Sequence, residues 1–191
     1  MNKAVFLDKD GTINKDVGYL NDPEKLELLP GSAEAVKKLN EADFKVIVIS
    51  NQAGIARGIL TENILQNVDK RLQKKLLKSG AYINAIYYCP HHPEHGLYPY
   101  KKECECRKPH TGLVKAAVKD HSIDLKRSYF VGDKLSDIQT GKAVNVKTIH
   151  VLTGKGKKAR EEKDYGSNKP DFEAKDLLDA VNWILKDEKN A

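Results

Sequence analysis

Short apolar runs alternate along this chain with longer segments in which apolar residues recur at helical spacing. The run 4–7, Ala-Val-Phe-Leu, has no polar member and reads as a buried strand. Residues 32–42 follow Pro30-Gly31 and set Ala35, Val36 and Leu39 on one side, which predicts a helix. The β-branched run 44–49 predicts a second strand. Thr61 suits an N-cap, and Leu65, Val68, Leu72 and Leu76 form a stripe running to about residue 79. Strands are further predicted at 85–88, 129–131 and 147–152, and helices at 111–121, 136–143 and 177–186. The Gly/Lys-rich stretch 154–169 reads as a mobile loop.

Strands separated by helices of this length pair in parallel, because each crossover needs a helix to return the chain. The expected fold is therefore α/β: a Rossmann-like open parallel sheet with helices on both faces. No linker or internal repeat divides it, so residues 1–191 are expected to form a single domain. In such sheets ligands collect at the carboxyl ends of the strands. The residues met there are Asp8, Ser50, Cys89 and, one glycine after a strand, Asp133. Each can hydrogen-bond, ligate a metal or attack.

Charge changes the picture little. The net charge of +6 comes from lysines spread along the chain, and the dense cluster at 155–163 also holds Glu161 and Glu162. A solvated surface with a mild pull on small anions is expected, not a nucleic-acid groove. No run approaches the length of a membrane helix, and the apolar run before Asp8 is too short for a signal peptide. The cytoplasm is the expected location.

Two constellations carry chemistry. Asp8-Lys9-Asp10-Gly11-Thr12 leaves the first strand directly, placing two carboxylates two residues apart on a tight loop. One can attack phosphorus if a cation offsets the repulsion between anions, and magnesium suits that task. The other, Asp10, can protonate the leaving oxygen and then activate water. A calcium loop of the EF-hand kind would need a preceding helix and a carboxylate at its twelfth position, where Tyr19 stands.

The second constellation is Cys89-Pro90-His91 followed, after twelve residues, by Cys104-Glu105-Cys106. Three clustered cysteines in a chain without an export signal argue for metal over disulfides. Cys89, His91, Cys104 and Cys106 form a set suited to tetrahedral structural zinc; His92 and His95 compete with His91 as the nitrogen ligand. Such an ion would clip the loop at about 89–106 and fix the Cys106-Arg107-Lys108 segment.

The aspartate loop, the hydroxyl of Ser50 closing a strand, Lys108 before a helix, and Gly132-Asp133 with Asp137 four residues on resemble, in order, the four motifs of the haloacid dehalogenase superfamily. The resemblance spans about residues 6–141. It implies a phosphatase with Asp8 as nucleophile, Asp10 as acid/base, and Ser50 and Lys108 holding the transferred phosphoryl oxygens. It also implies magnesium on Asp8, the Asp10 carbonyl and Asp133. Asp137 would support Lys108 or the metal water, or simply favour a helix N-terminus. No insertion is large enough for a cap domain, so the zinc loop is expected to replace one.

Within the superfamily, C-P-H … C-x-C-R-K-P resembles the branch holding the heptose bisphosphate and histidinol-phosphate phosphatases. The heptose group is favoured by Ser50-Asn51-Gln52-Ala53-Gly54-Ile55-Ala56-Arg57-Gly58, by the long zinc loop and by the segment 14–19. Ser50 stands where that group more usually has threonine; either supplies a hydroxyl. The implied substrate is D-glycero-D-manno-heptose 1,7-bisphosphate, losing its C7 phosphate. Arg57, Arg107 and Lys134 are the cations available to the second phosphate, with Arg107 favoured for its bidentate grip. Asp16, Gly18, Tyr19, Asn51, Gln52 and Ala53 are expected to bound the sugar. A monomer acting on a phosphorylated sugar, without nucleic acid or membrane as partner, is expected.

Three alternatives share parts of this pattern. A histidinol-phosphate phosphatase would want acidic groups near the substrate amine, such as Glu94, Glu103 or Glu105. A nucleic-acid 3′-phosphatase would stack bases on the tyrosines at 87, 88, 98 and 100. A non-catalytic zinc-stabilised binding module would be expected to have lost one of the chemical residues, and none is missing.

Overall fold

The computed structural model describes residues 1–190. Six strands form one parallel sheet: β1 (Ala4–Leu7), β2 (Lys45–Asn51), β3 (Ala85–Cys89), β4 (Tyr129–Gly132), β5 (Lys147–Val151) and β6 (Phe172–Ala174). Their order is β3-β2-β1-β4-β5-β6, the doubly wound arrangement in which chain direction across the sheet reverses between β1 and β4.

The period of two in each strand sends alternate residues to opposite faces. Val5 and Leu7 of β1 join Val46 and Val48 of β2 in a core covered by α1 (Ser32–Glu41), α2 (Glu62–Leu77) and α6 (Leu177–Lys189). Ala4, Phe6, Ile47 and Ile49 face the other way, against Leu113, Val114 and Ala117 of α3 (Gly112–His121). The shorter α4 (Leu135–Ala143) lies close on β4 and β5 through Gly141; a Cβ there would come within 2.5 Å of Thr148 and 2.9 Å of Phe130. Among the described residues no helix is long and apolar enough to cross a membrane.

Thr61 caps α2 as its position suggests, accepting a hydrogen bond from the Ile64 amide at 3.2 Å. Thr61→Ala is expected to cost about 1 kcal/mol, read as a fall of roughly 2–4 °C in the midpoint of a thermal melt. A melt unchanged by the substitution would show that the cap contributes nothing.

The stretch 154–169 departs from its reading as a plain mobile loop. It carries the short α5 (Gly156–Ala159) and a 3-10 turn at Gly166–Asn168, and it buries Ala159 and Tyr165. Four-residue elements have no room for a period, so the sequence showed only glycine and lysine. The sixth strand was missed for the same reason. Its Phe172 stacks on Trp183 of α6, with ring centres 5.1 Å apart and planes 6° from parallel.

Candidate active site

The reversal between β1 and β4 brings the two strand ends together, and with them Asp8 and Asp133. The Asp8 amide donates to Val131 O of β4 at 2.9 Å. The chain then turns tightly: Lys9 O accepts from the Ile13 amide at 2.8 Å. Gly11 has φ +92°, and a Cβ on it would sit 2.2 Å from Asp133 Oδ2, so only glycine fits. Lys9, between the two loop aspartates in sequence, is buried and pairs with Asp69 of α2 at 3.0 Å. That pair ties the loop to a helix, and the spacing of the sequence gave no sign of it.

Asp8 lies between two ammonium groups. Its Oδ1 accepts from Lys108 Nζ at 2.8 Å and its Oδ2 from Lys134 Nζ at 2.8 Å. Burial pushes the Asp8 carboxyl up, but the two lysines more than reverse this and hold it well below the usual carboxylate range. Asp8 is therefore an anion wherever the protein is folded near neutrality. Lys108 is itself buried, and its ammonium also meets Ile49 O at 2.7 Å and Asp137 Oδ1 at 2.6 Å. Burial alone would lower its pKa; Asp137 and Asp8 raise it. Asp137 thus supports Lys108, and its Oδ2 also accepts the Lys134 amide at the start of α4 at 3.0 Å, so both readings of this residue describe contacts it makes.

Lys134 marks a cation position. Its Nζ lies 2.8 Å from Asp8 Oδ2, 3.2 Å from Asp10 O and 3.1 Å from Asp133 Oδ1. These are the three groups the motifs point to for magnesium, and they converge on one positive charge. Burial, and next the Asp8 charge beside it, pushes the Asp133 carboxyl up to about 7 against the opposing pull of Lys134. The donor set is all hard oxygen and fits magnesium.

Asp10 is held at both oxygens: Asn14 Nδ2 donates to Oδ1 and Gln52 Nε2 to Oδ2, each at 2.8 Å. Gln52 also reaches Ser50 Oγ at 2.8 Å. Asn51 clasps the Lys108 backbone, accepting from its amide at 3.0 Å and donating to its carbonyl at 3.1 Å. Both amides expected at the sugar are thus engaged in holding the reactive residues.

A cavity of about 450 Å³ opens over Asp8, Asp10, Ser50 and Lys108. Asp16, Gly18, Tyr19, Asn51, Gln52, Ala53, Arg107 and Lys134 line it. Arg57 is exposed and lies outside that lining. Gly54, Ser136 and Lys155 line it without having been anticipated. Lys155 could have been found, because Thr153-Gly154-Lys155 follows β5 at the same sheet edge that yields Asp8 and Asp133.

The cysteine cluster closes on itself. The sulfurs of Cys89, Cys104 and Cys106 lie 3.1–3.5 Å apart, and His91 Nδ1 is 3.3 Å from Cys106 and 3.8 Å from Cys89. Tetrahedral zinc with Zn–S near 2.3 Å would need S···S of about 3.8 Å, an expansion of a few tenths of an ångström. His92 turns away, its Nδ1 accepting the amides of Glu94 and His95. The four groups lie within 4.8 Å of one another and are compatible with zinc. Arg107 Nη1 donates to His91 O at 3.1 Å, coupling the cluster to the cavity.

Comparison with known proteins shows the family. Residues 105–180 match the HAD-hydrolase-like family. The D-glycero-beta-D-manno-heptose-1,7-bisphosphate 7-phosphatase of Haemophilus ducreyi is 39% identical over 95% of this chain and 98% of its own. The chain belongs to this phosphatase family. The corresponding D-glycero-D-manno-heptose-1,7-bisphosphate 7-phosphatase of Thermosynechococcus vestitus is 42% identical over 95% of this chain and 94% of its own. Among solved structures, the D,D-heptose 1,7-bisphosphate phosphatase of B. bronchiseptica, complexed with magnesium and phosphate, superposes with a TM-score of 0.86. It is 30% identical and covers 97% of this chain and 99% of that one. The family and the HAD-like fold agree with the motif order along the chain.

Proposed function

We propose that this chain removes the C7 phosphate of D-glycero-D-manno-heptose 1,7-bisphosphate, giving the heptose 1-phosphate, as a monomeric cytoplasmic enzyme of one domain. The observation that carries this reading is near full-length identity to phosphatases named for that reaction, in a chain whose Asp8 faces an open, cation-rimmed cavity.

Asp8 attacks phosphorus and forms an aspartyl-phosphate as the bond to the sugar oxygen breaks. Asp10, oriented by Asn14 and Gln52, gives its proton to the departing C7 oxygen. Water then attacks the phosphorus of the intermediate, Asp10 takes its proton, and phosphate leaves with Asp8 regenerated. Lys108 and Ser50 hold the equatorial oxygens of the transferring group. Magnesium bound by Asp8, the Asp10 carbonyl and Asp133 supplies the charge that lets an anion approach an anion. Zinc on Cys89, His91, Cys104 and Cys106 is structural and keeps the 89–106 loop in the place of a large cap.

Arg107 is the candidate partner for the second phosphate, since it lines the cavity and Arg57 does not. Glu94, Glu103 and Glu105 also lie outside the lining, which leaves the acidic recognition of a histidinol amine without its candidates.

The test is kcat/KM with magnesium for the heptose bisphosphate, histidinol phosphate and a 3′-phosphorylated oligonucleotide. A lead of about a hundredfold for the bisphosphate, about 2.7 kcal/mol in transition-state free energy, is expected. A lead for either other substrate would overturn the assignment of substrate and leave the chemistry intact.

A further inference from the structure

We infer that Tyr165 and His150, outside the lining of the substrate cavity, are positioning residues that set the magnesium affinity of Asp133. The inference rests on the reading of Asp133 as a metal ligand and adds to it a device elsewhere in the fold.

Asp133 has one oxygen aimed at the cation position and one held by the protein. Its Oδ2 accepts the Lys155 amide at 2.7 Å. That amide is delivered by the segment after β5, which crosses the nucleophile loop at close range. Thr153 Oγ1 donates to Gly11 O at 2.6 Å. Gly154 has φ +54°, and a Cβ there would lie 2.2 Å from Asp133 Oδ2 and 2.5 Å from Gly11 Cα. The segment is therefore a strap whose position fixes the metal carboxylate.

The strap is anchored at its far end by buried polar groups. His150 of β5 is fully buried and Tyr165 nearly so. The Tyr165 hydroxyl donates to Glu173 Oε1 of β6 at 2.5 Å and lies 2.6 Å from His150 Nδ1. Since the phenol hydrogen is committed to Glu173, His150 Nδ1–H donates to the phenol oxygen. That tautomer leaves His150 Nε2 without a hydrogen, so its approach to Asp133 O at 3.4 Å is a packing contact and not a donated hydrogen bond. The Tyr165 ring closes against Leu135 and Ile138 of α4, the helix that starts just beyond Asp133. Both ends of the strap thus converge on Asp133, one through the Lys155 amide and one through His150 and α4. Nothing in the reaction uses the imidazole or the phenol, yet the fold buries both, hydrogen-bonded to each other and to Glu173, against the backbone of Asp133.

Tyr165→Phe keeps the ring and removes only the hydroxyl. Magnesium binding to the zinc-loaded protein without substrate is measured by titration calorimetry, alongside the melting temperature and kcat across magnesium concentrations. The expected result is a Kd for magnesium raised about tenfold, with kcat recovering at saturating magnesium and KM for substrate unchanged there. An unchanged Kd beside a lowered melting temperature would overturn the inference and leave Tyr165 merely structural. The parent protein and Asp133→Asn are titrated beside it. If the parent binds no magnesium, the reading of the site fails with the inference; if it binds and Tyr165→Phe binds equally, the inference alone fails.

Discussion

Asp8→Asn is expected to lower kcat by at least ~10⁴-fold while leaving the chain folded. The amide has no lone pair competent to attack phosphorus, and among the described residues lining the cavity Asp8 alone has its two carboxylate oxygens on two different lysine ammonium groups. Folding should survive because the two lysines keep other partners. Lys108 retains Asp137 and Ile49 O, and Lys134 retains Asp133 and Asp10 O. Breaking a buried ion pair costs several kcal/mol when it strands a charge; here neither charge is stranded. The measurement is steady-state turnover together with mass spectrometry of acid-quenched, digested protein. The parent should yield an Asp8 peptide heavier by one phosphoryl group, and the variant none. Turnover within about tenfold of the parent, or a phosphorylated peptide elsewhere, would remove Asp8 from the role of nucleophile.

The fold was readable where side chains alternate over several residues or repeat at helical spacing. The buried runs of β1 and β2 and the Leu65–Leu76 stripe of α2 left little freedom, because each apolar face has to find a partner. The site was readable for a different reason. A parallel sheet gathers its strand ends, so reactive residues just past successive strands must meet, and Asp8 and Asp133 do. What stayed hidden depends on contacts between segments far apart in sequence with no period of their own. Lys9 looks like a solvated loop lysine until α2 brings Asp69 to it. That Gln52, expected at the sugar, also holds Asp10 and Ser50 emerges only when the turn after β2 sets its amide between them. Tyr165 sits in a stretch whose composition suggests mobility, and only the register of β5 with β6 puts His150 and Glu173 opposite each other to receive it.

With zinc on Cys89, His91, Cys104 and Cys106 as proposed, removing it by chelation or by Cys104→Ser is expected to loosen the loop at about 89–106 and leave the sheet standing. The segment between His91 and Cys104 has little else to hold it: Leu97 is 79% exposed and Tyr98 94%. Its contacts with the body of the protein are few: Gly96 packs too close to Ala56 O for any side chain, the Leu97 amide donates to that same carbonyl at 3.1 Å, and Tyr100 packs on Ile55, Leu60 and Leu65 with its hydroxyl donating to Glu62 at 3.2 Å. Structural zinc sites supply on the order of 10 kcal/mol of apparent binding energy at neutral pH, far more than such contacts. The core between the sheet and α1, α2 and α6 contains none of the four ligands, so helical content should persist. Cleavage by protease should appear within residues 92–103, and kcat/KM should fall about 10–100-fold, because Cys106 leads directly through Arg107 into Lys108. Readdition of zinc should restore both after chelation but not in Cys104→Ser. A chelated protein, shown by metal analysis to be zinc-free, that resists protease and turns over normally would mean that packing alone holds the loop and that the cysteines play another part.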